Sequence, residues 1–132
     1  MTDKEGNIKG NNIKKVNDII LSFPESISSE ALEKEFILSI NDARQSEFLA
    51  TLLDECNDKK DVYIIPGTLY KGIRYIDLHF FINLLKGKQF ITETELENKY
   101  SRFNFKSILK LCDSLSVNEE LSFVKILQDK YH

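Results

Sequence analysis

Apolar residues recur along most of this chain at helical spacing. Ile13, Val16, Ile19, Ile20 and Phe23 fall at i, i+3, i+6, i+7 and i+10, one face of a helix. Asn11 or Asn12 can cap its start, and Pro24 prevents continuation past Phe23. Ser28 or Ser29 opens a second helix, with Glu30 in the first turn where the helix dipole favours an acid, and Leu32, Phe36, Ile37 and Ile40 as its stripe. The chain restarts near Asn41. Phe48, Leu49, Leu52, Leu53 and Cys56 then give the strongest helical signal, closed by the polar cluster Asn57-Asp58-Lys59-Lys60-Asp61.

The middle supports two readings. Val62-Tyr63-Ile64-Ile65 is a short β-branched and aromatic run stopped by Pro66-Gly67, and Ile73-Arg74-Tyr75-Ile76 could be its antiparallel partner. Alternatively a helix starts near Thr68, since Leu69, Ile73, Ile76, Phe80 and Leu84 also share a helical face. In both readings Asp77 caps a nearly all-apolar helix through Leu78, Phe81, Ile82 and Leu85, ended by Gly87. Such a helix belongs in the centre of a core.

Further on, Thr92-Glu93-Thr94-Glu95 has the form of a capping box and opens a short helix marked by Leu96 and Tyr100. Asn104 caps the next, carrying Ile108, Leu109, Leu111, Cys112 and Leu115. Ser116-Val117-Asn118-Glu119 reads as a second capping box before Leu121, Val124, Leu127 and Tyr131. The pattern predicts a mainly α single-domain bundle of about seven helices, with room for one short β-hairpin near residues 62–76. Residues 1–10, polar around Ile8, read as a flexible N-terminal tail, and residues 11–132 as one globular helical domain.

Composition narrows the class. A chain of 132 residues with 42% hydrophobic residues can bury one core without staples. No apolar run reaches the ~18–20 residues of a membrane span, and the first residues carry no apolar signal core, so no membrane role is expected. Only two cysteines, Cys56 and Cys112, both on apolar helix faces, suit a reducing cytoplasm better than a disulfide framework.

Candidate chemistry is sparse. Gly67-Thr68-Leu69-Tyr70-Lys71-Gly72 has the glycine spacing of a phosphate loop, but Ile73-Arg74 stands where Lys and Ser/Thr are needed. His79 and His132 are far apart, and the cysteines lack Cys-x-x-Cys spacing, so no metal or other cofactor is expected. Cys56 with His79 is the one thiol–imidazole pair away from the C-terminus, and a lone His on a central helix is more often structural. No catalytic motif emerges, and an enzyme is not the expected class.

Charge is more informative. Residues 1–70 hold 8 Lys/Arg against 13 Asp/Glu, whereas residues 71–132 hold 10 against 8, so the net −3 is a cancellation. The second and third helices carry the acids, Glu33 among them, and Glu47, Thr51, Asp54 and Asp58 run at i, i+4, i+7 and i+11 opposite the apolar stripe. An acidic helix face can steer a basic partner and mimic the phosphates that partner binds. Tyr63, Tyr70 and Tyr75 flank the Pro66-Gly67 turn, either as interface anchors or as packing for the central segment.

These features predict a non-enzymatic protein-binding domain, most concretely an inhibitor or immunity-type protein that neutralises a basic partner such as a nuclease toxin. Glu33, Glu47, Asp54 and Asp58 would steer, and Tyr63 and Tyr70 would anchor. The alternative is a small helix-turn-helix regulator that reads DNA through the 93–114 helix pair with Arg102, Lys106 and Lys110. The sequence pI of about 5.4 disfavours a nucleic-acid partner.

Overall fold

The first two apolar segments bury every second side chain, not every third or fourth. A computed structural model, which describes residues 17–27, 34–56, 61–96 and 98–131, has strand β1 at Asp18–Ser22 and strand β2 at Glu35–Ser39. Ile19 and Leu21 point inward from β1 and Phe36 and Leu38 from β2, and all four are buried. The helices predicted over 12–23 and 28–40 are therefore corrected to strands in their described parts. The two strands pair antiparallel with Ile20 opposite Ile37, so each satisfies the other's backbone groups and the β-branched runs gain cross-strand contacts. The expected tail at 1–10 and the caps at Asn11, Asn12, Ser28 and Ser29 lie outside the described residues.

Val62–Ile64 forms strand β3, but its partner is not the segment at 73–76. It joins β1 in parallel, Ile20 beside Val62 and Ser22 beside Ile64, giving the sheet order β2-β1-β3. The hairpin expected near 62–76 is absent. Pro66 leads instead into a 3-10 turn at Gly67–Leu69, and Tyr70 plunges into the core, its ring 5.1 Å from that of Phe23. With Tyr70 drawn inward the chain cannot fold back along β3.

Five helices follow among the described residues: α1 at Ile40–Ala43, α2 at Glu47–Glu55, α3 at Tyr75–Leu85, α4 at Phe105–Ser114 and α5 at Ser122–Tyr131. Together with the three-stranded mixed sheet they make an α/β mixture rather than a seven-helix bundle. Helix α3 carries the heaviest burial, with Leu78, Phe81 and Ile82 at 1% exposure or less. It begins at Tyr75 with Arg74 in the cap position, so Asp77 sits in its first turn and is not the cap.

Asp77, itself 1% exposed, has another task. Its carboxylate accepts from Arg74 Nε at 2.8 Å and Nη2 at 3.1 Å, and from the Asn104 backbone N–H at 2.9 Å. Arg74 Nη2 also donates to the Arg102 carbonyl at 3.0 Å. A buried carboxylate with three donors thus ties the start of α3 to the start of α4, where Asn104 caps the helix by accepting from the Ser107 N–H.

The first helix of the expected 93–114 pair does not form. The described residues of 93–103 make hydrogen-bonded turns, with the Lys99 and Tyr100 N–H groups both reaching the Glu95 carbonyl. Tyr100 and Phe103 dock instead on Phe80, with ring centroids at 5.3 and 4.2 Å. This packing favours compact turns over a regular helix. Ser116 likewise opens no helix. It follows α4 with φ +50, and α5 begins only at Ser122.

Candidate functional site

The N-terminus of α2 abuts the C-terminus of α4, and the unpaired backbone groups of each helix end satisfy those of the other. The Glu47 N–H donates to the Ser116 carbonyl at 2.9 Å and the Phe48 N–H to the Leu115 carbonyl at 3.3 Å. Ser46, fully buried, accepts from the Leu49 N–H at 3.1 Å and donates its hydroxyl to the Leu115 carbonyl at 2.5 Å. The Asn118 N–H closes the seam onto the Gln45 carbonyl at 2.8 Å. Head-to-tail helix dipoles add to this attachment.

Beside the seam lies a groove of about 670 Å³ between α2, the α4–α5 connection and α5. Glu47 stands on one wall, and Asp113 and Glu119 on the other, with Arg44 at the α2 end. All three acids are exposed. They do not converge as metal ligands, for among the described residues no group of three or more His, Cys, Asp or Glu side chains could hold an ion. The groove is thus suited to a long basic side chain, which can bury its stem on Val117 and Val124 and keep its charge among the rim acids.

Of the residues singled out from the sequence, Glu47 is on this groove and Asp54 is not. Asp54 is exposed on α2 and pairs with Arg44 Nη2 at 2.9 Å. Glu33 and Asp58 lie outside the described residues. Tyr63 and Tyr70 are each 3% exposed and pack inward. Burial raises the Tyr70 phenol pKa, and its oxygen accepts from the Glu25 N–H at 3.0 Å. Arg102 lies over the Phe103 ring at 4.5 Å, while Lys106 and Lys110 are exposed on α4. Asp113 and Glu119 escaped the sequence reading because they meet Glu47 only across the seam. No local spacing announces them.

Burial shifts two further titratable groups, His79 and Cys112, the latter lining the groove. His79 packs against the stacked Phe36 and Tyr75 rings, at 6.1 and 5.8 Å, and burial and then Lys86 lower its pKa. Burial pushes the Cys112 thiol up to about 12, which keeps it neutral and unreactive. No helix of the described residues is long and apolar enough to cross a membrane. No protein-family model, curated protein or solved structure matches this chain.

Proposed function

We propose that this chain is a non-enzymatic protein-binding domain, an inhibitor or immunity-type protein that acts in the cytoplasm and neutralises a basic partner such as a nuclease toxin. The supporting observation is the acidic groove, in which Glu47 from the acidic front half faces Asp113 and Glu119 from the back half. Three acids against one Arg raise the local concentration of a cationic surface and speed encounter. A Lys or Arg of the partner enters the groove, and the exposed acids Asp54 and Glu55 of α2 extend the attraction beyond it.

The test begins with capture of the partner from host cells on immobilised wild-type chain, followed by binding measurements on the purified pair. The expected partner is a basic protein whose association slows as salt rises. Glu47→Lys combined with Glu119→Lys is expected to weaken the complex at least about tenfold, the loss of roughly one charge-assisted contact, with helicity unchanged. Unchanged affinity in that double variant would show that the groove is not the binding surface.

A further inference from the structure

On the opposite side of α4 from the acidic groove, a second depression of about 330 Å³ lies between the Gly67–Gly72 loop and the helix. Its charge is of the other sign. Lys71 from the loop and Lys110 from α4 both line it, with the hydroxyls of Thr68, Ser107 and Ser114, and among the described residues no carboxylate does. Its floor is apolar, formed by the buried side chains of Ile73 and Leu111. Glu25, whose carboxylate occupies the space beside the Gly67 α-carbon, is not among the lining residues.

We infer that this cleft binds a small organic phosphate monoester. Two ammonium groups and three hydroxyl donors around one volume suit a tetrahedral dianion with several acceptor oxygens. No guanidinium lines the cleft, so its positive charge is carried by two ammonium groups, which hold phosphate as point charges. The apolar floor takes a compact hydrocarbon or aromatic body, and the volume is at the small end for ligand sites. The loop has the glycine spacing of a phosphate loop without its lysine, and the fold supplies that cation from α4.

Recognition here differs from a backbone cradle. The Leu69 N–H is bound to the Pro66 carbonyl, Tyr70 N–H to Gly67 and Ile73 N–H to Tyr70, so the loop's own turns use these donors. Gly72, at φ +82, lets the last of these turns form and sets Lys71 at its tip. With those three donors taken, the lysine and hydroxyl side chains supply the main contacts to the phosphate. The site shares no residue with the acidic groove and stands or falls independently of the partner proposal.

The experiment is an amide NMR titration of the full chain with phenyl phosphate, inorganic phosphate and phenol at constant ionic strength. Phenyl phosphate is expected to shift amides at 68–73 and 107–114 and to bind about tenfold more tightly than either fragment alone. Lys71→Glu and Lys110→Glu are each expected to weaken it about tenfold or more, with well-dispersed spectra retained. Lys106→Glu, a neighbouring cation of α4 outside the cleft, is expected to change affinity by less than about twofold. Equal weakening by all three variants, or shifts spread alike over Lys86, Lys88 and Lys125, would reduce the effect to general attraction and overturn the proposal. Absence of shifts in the cleft at millimolar phenyl phosphate would overturn it too.

Discussion

Helix α4 separates two depressions of opposite character. On one side Asp113 joins Glu47 and Glu119 around an open acidic groove, and on the other Lys110 joins Lys71 over an apolar floor. Ser107, Lys110, Leu111 and Ser114 lie within about 100° of the helix circumference, while Cys112 lies on the far side and Asp113 on the flank, about 60° from Lys110, as ~100° per residue requires. The comparison alters what the net charge means. The front half of the chain is acidic and the back half mildly basic, yet the groove draws two of its three acids from the back half. Both lysines of the cleft come from there as well. The charge of each depression is set by which segments the fold brings beside α4, not by position along the chain.

Both depressions depend on where α4 sits, and Asp77 sets its beginning. Asp77→Ala removes the acceptor for the exposed Arg74 side chain and for the part-buried Asn104 N–H, and leaves a gap where the buried carboxylate stood. The expected loss is about 2 kcal/mol, in the range for losing hydrogen bonds to a charged group. Urea unfolding measures it directly, and the slope through the transition checks that the m-value is unchanged. A loss below about 1 kcal/mol would show that the Phe80, Phe103 and Phe105 rings alone hold the helix start.

Ser46→Ala probes one side only. It removes the N-cap of α2 and the hydroxyl donated to the Leu115 carbonyl, at an expected cost of about 1–2 kcal/mol. Amide shifts should cluster at Glu47, Asn118 and Glu119 and spare Thr68 and Ser107. Equal shifts on the cleft side would mean that α4 moves as a rigid unit and that the two surfaces communicate.

The sequence exposes these elements unevenly, and the reason is range. Helix α2 and the core of α4 were legible because a 3.6-residue stripe is local information, as were the Asn104 cap and the stop at Gly87. Strands β1 and β2 are misread because Ile19 and Phe23, four apart, satisfy a helical face as well as an alternation, as do Phe36 and Ile40. Leu21 and Leu38, both buried and both outside the helical stripes, were the signal for alternation. The parallel partner of β3 is some forty residues earlier in the chain. No turn residue between them encodes that pairing. The groove was half legible for the same reason, since Glu47 belongs to a local acidic stripe while Asp113 and Glu119 reach it only through the α2–α4 seam.

Ser116 joins the wall of the acidic groove to the end of α4, and its backbone is strained. Its φ of +50 is costly for any residue with a β-carbon. The hydrogen bonds around it, Val117 N–H to Cys112 at 2.9 Å and Ser116 N–H to Asp113 at 3.2 Å, are the paired 6→1 and 5→2 bonds of a Schellman ending. The same pair ends α3, where Lys88 N–H reaches Asn83 at 3.0 Å and Gly87 N–H reaches Leu84 at 3.2 Å, but there the residue at φ +73 is glycine. The molecule thus contains both versions of one turn. Ser116→Gly should therefore stabilise the chain by about 0.5–1 kcal/mol and raise Tm by about 2–3 °C, measured by thermal unfolding. Because the change alters no charge, partner binding in the groove should stay the same while stability rises. A fall in Tm would mean that the serine hydroxyl makes a bond worth more than the strain, and that the acidic side holds the tighter turn.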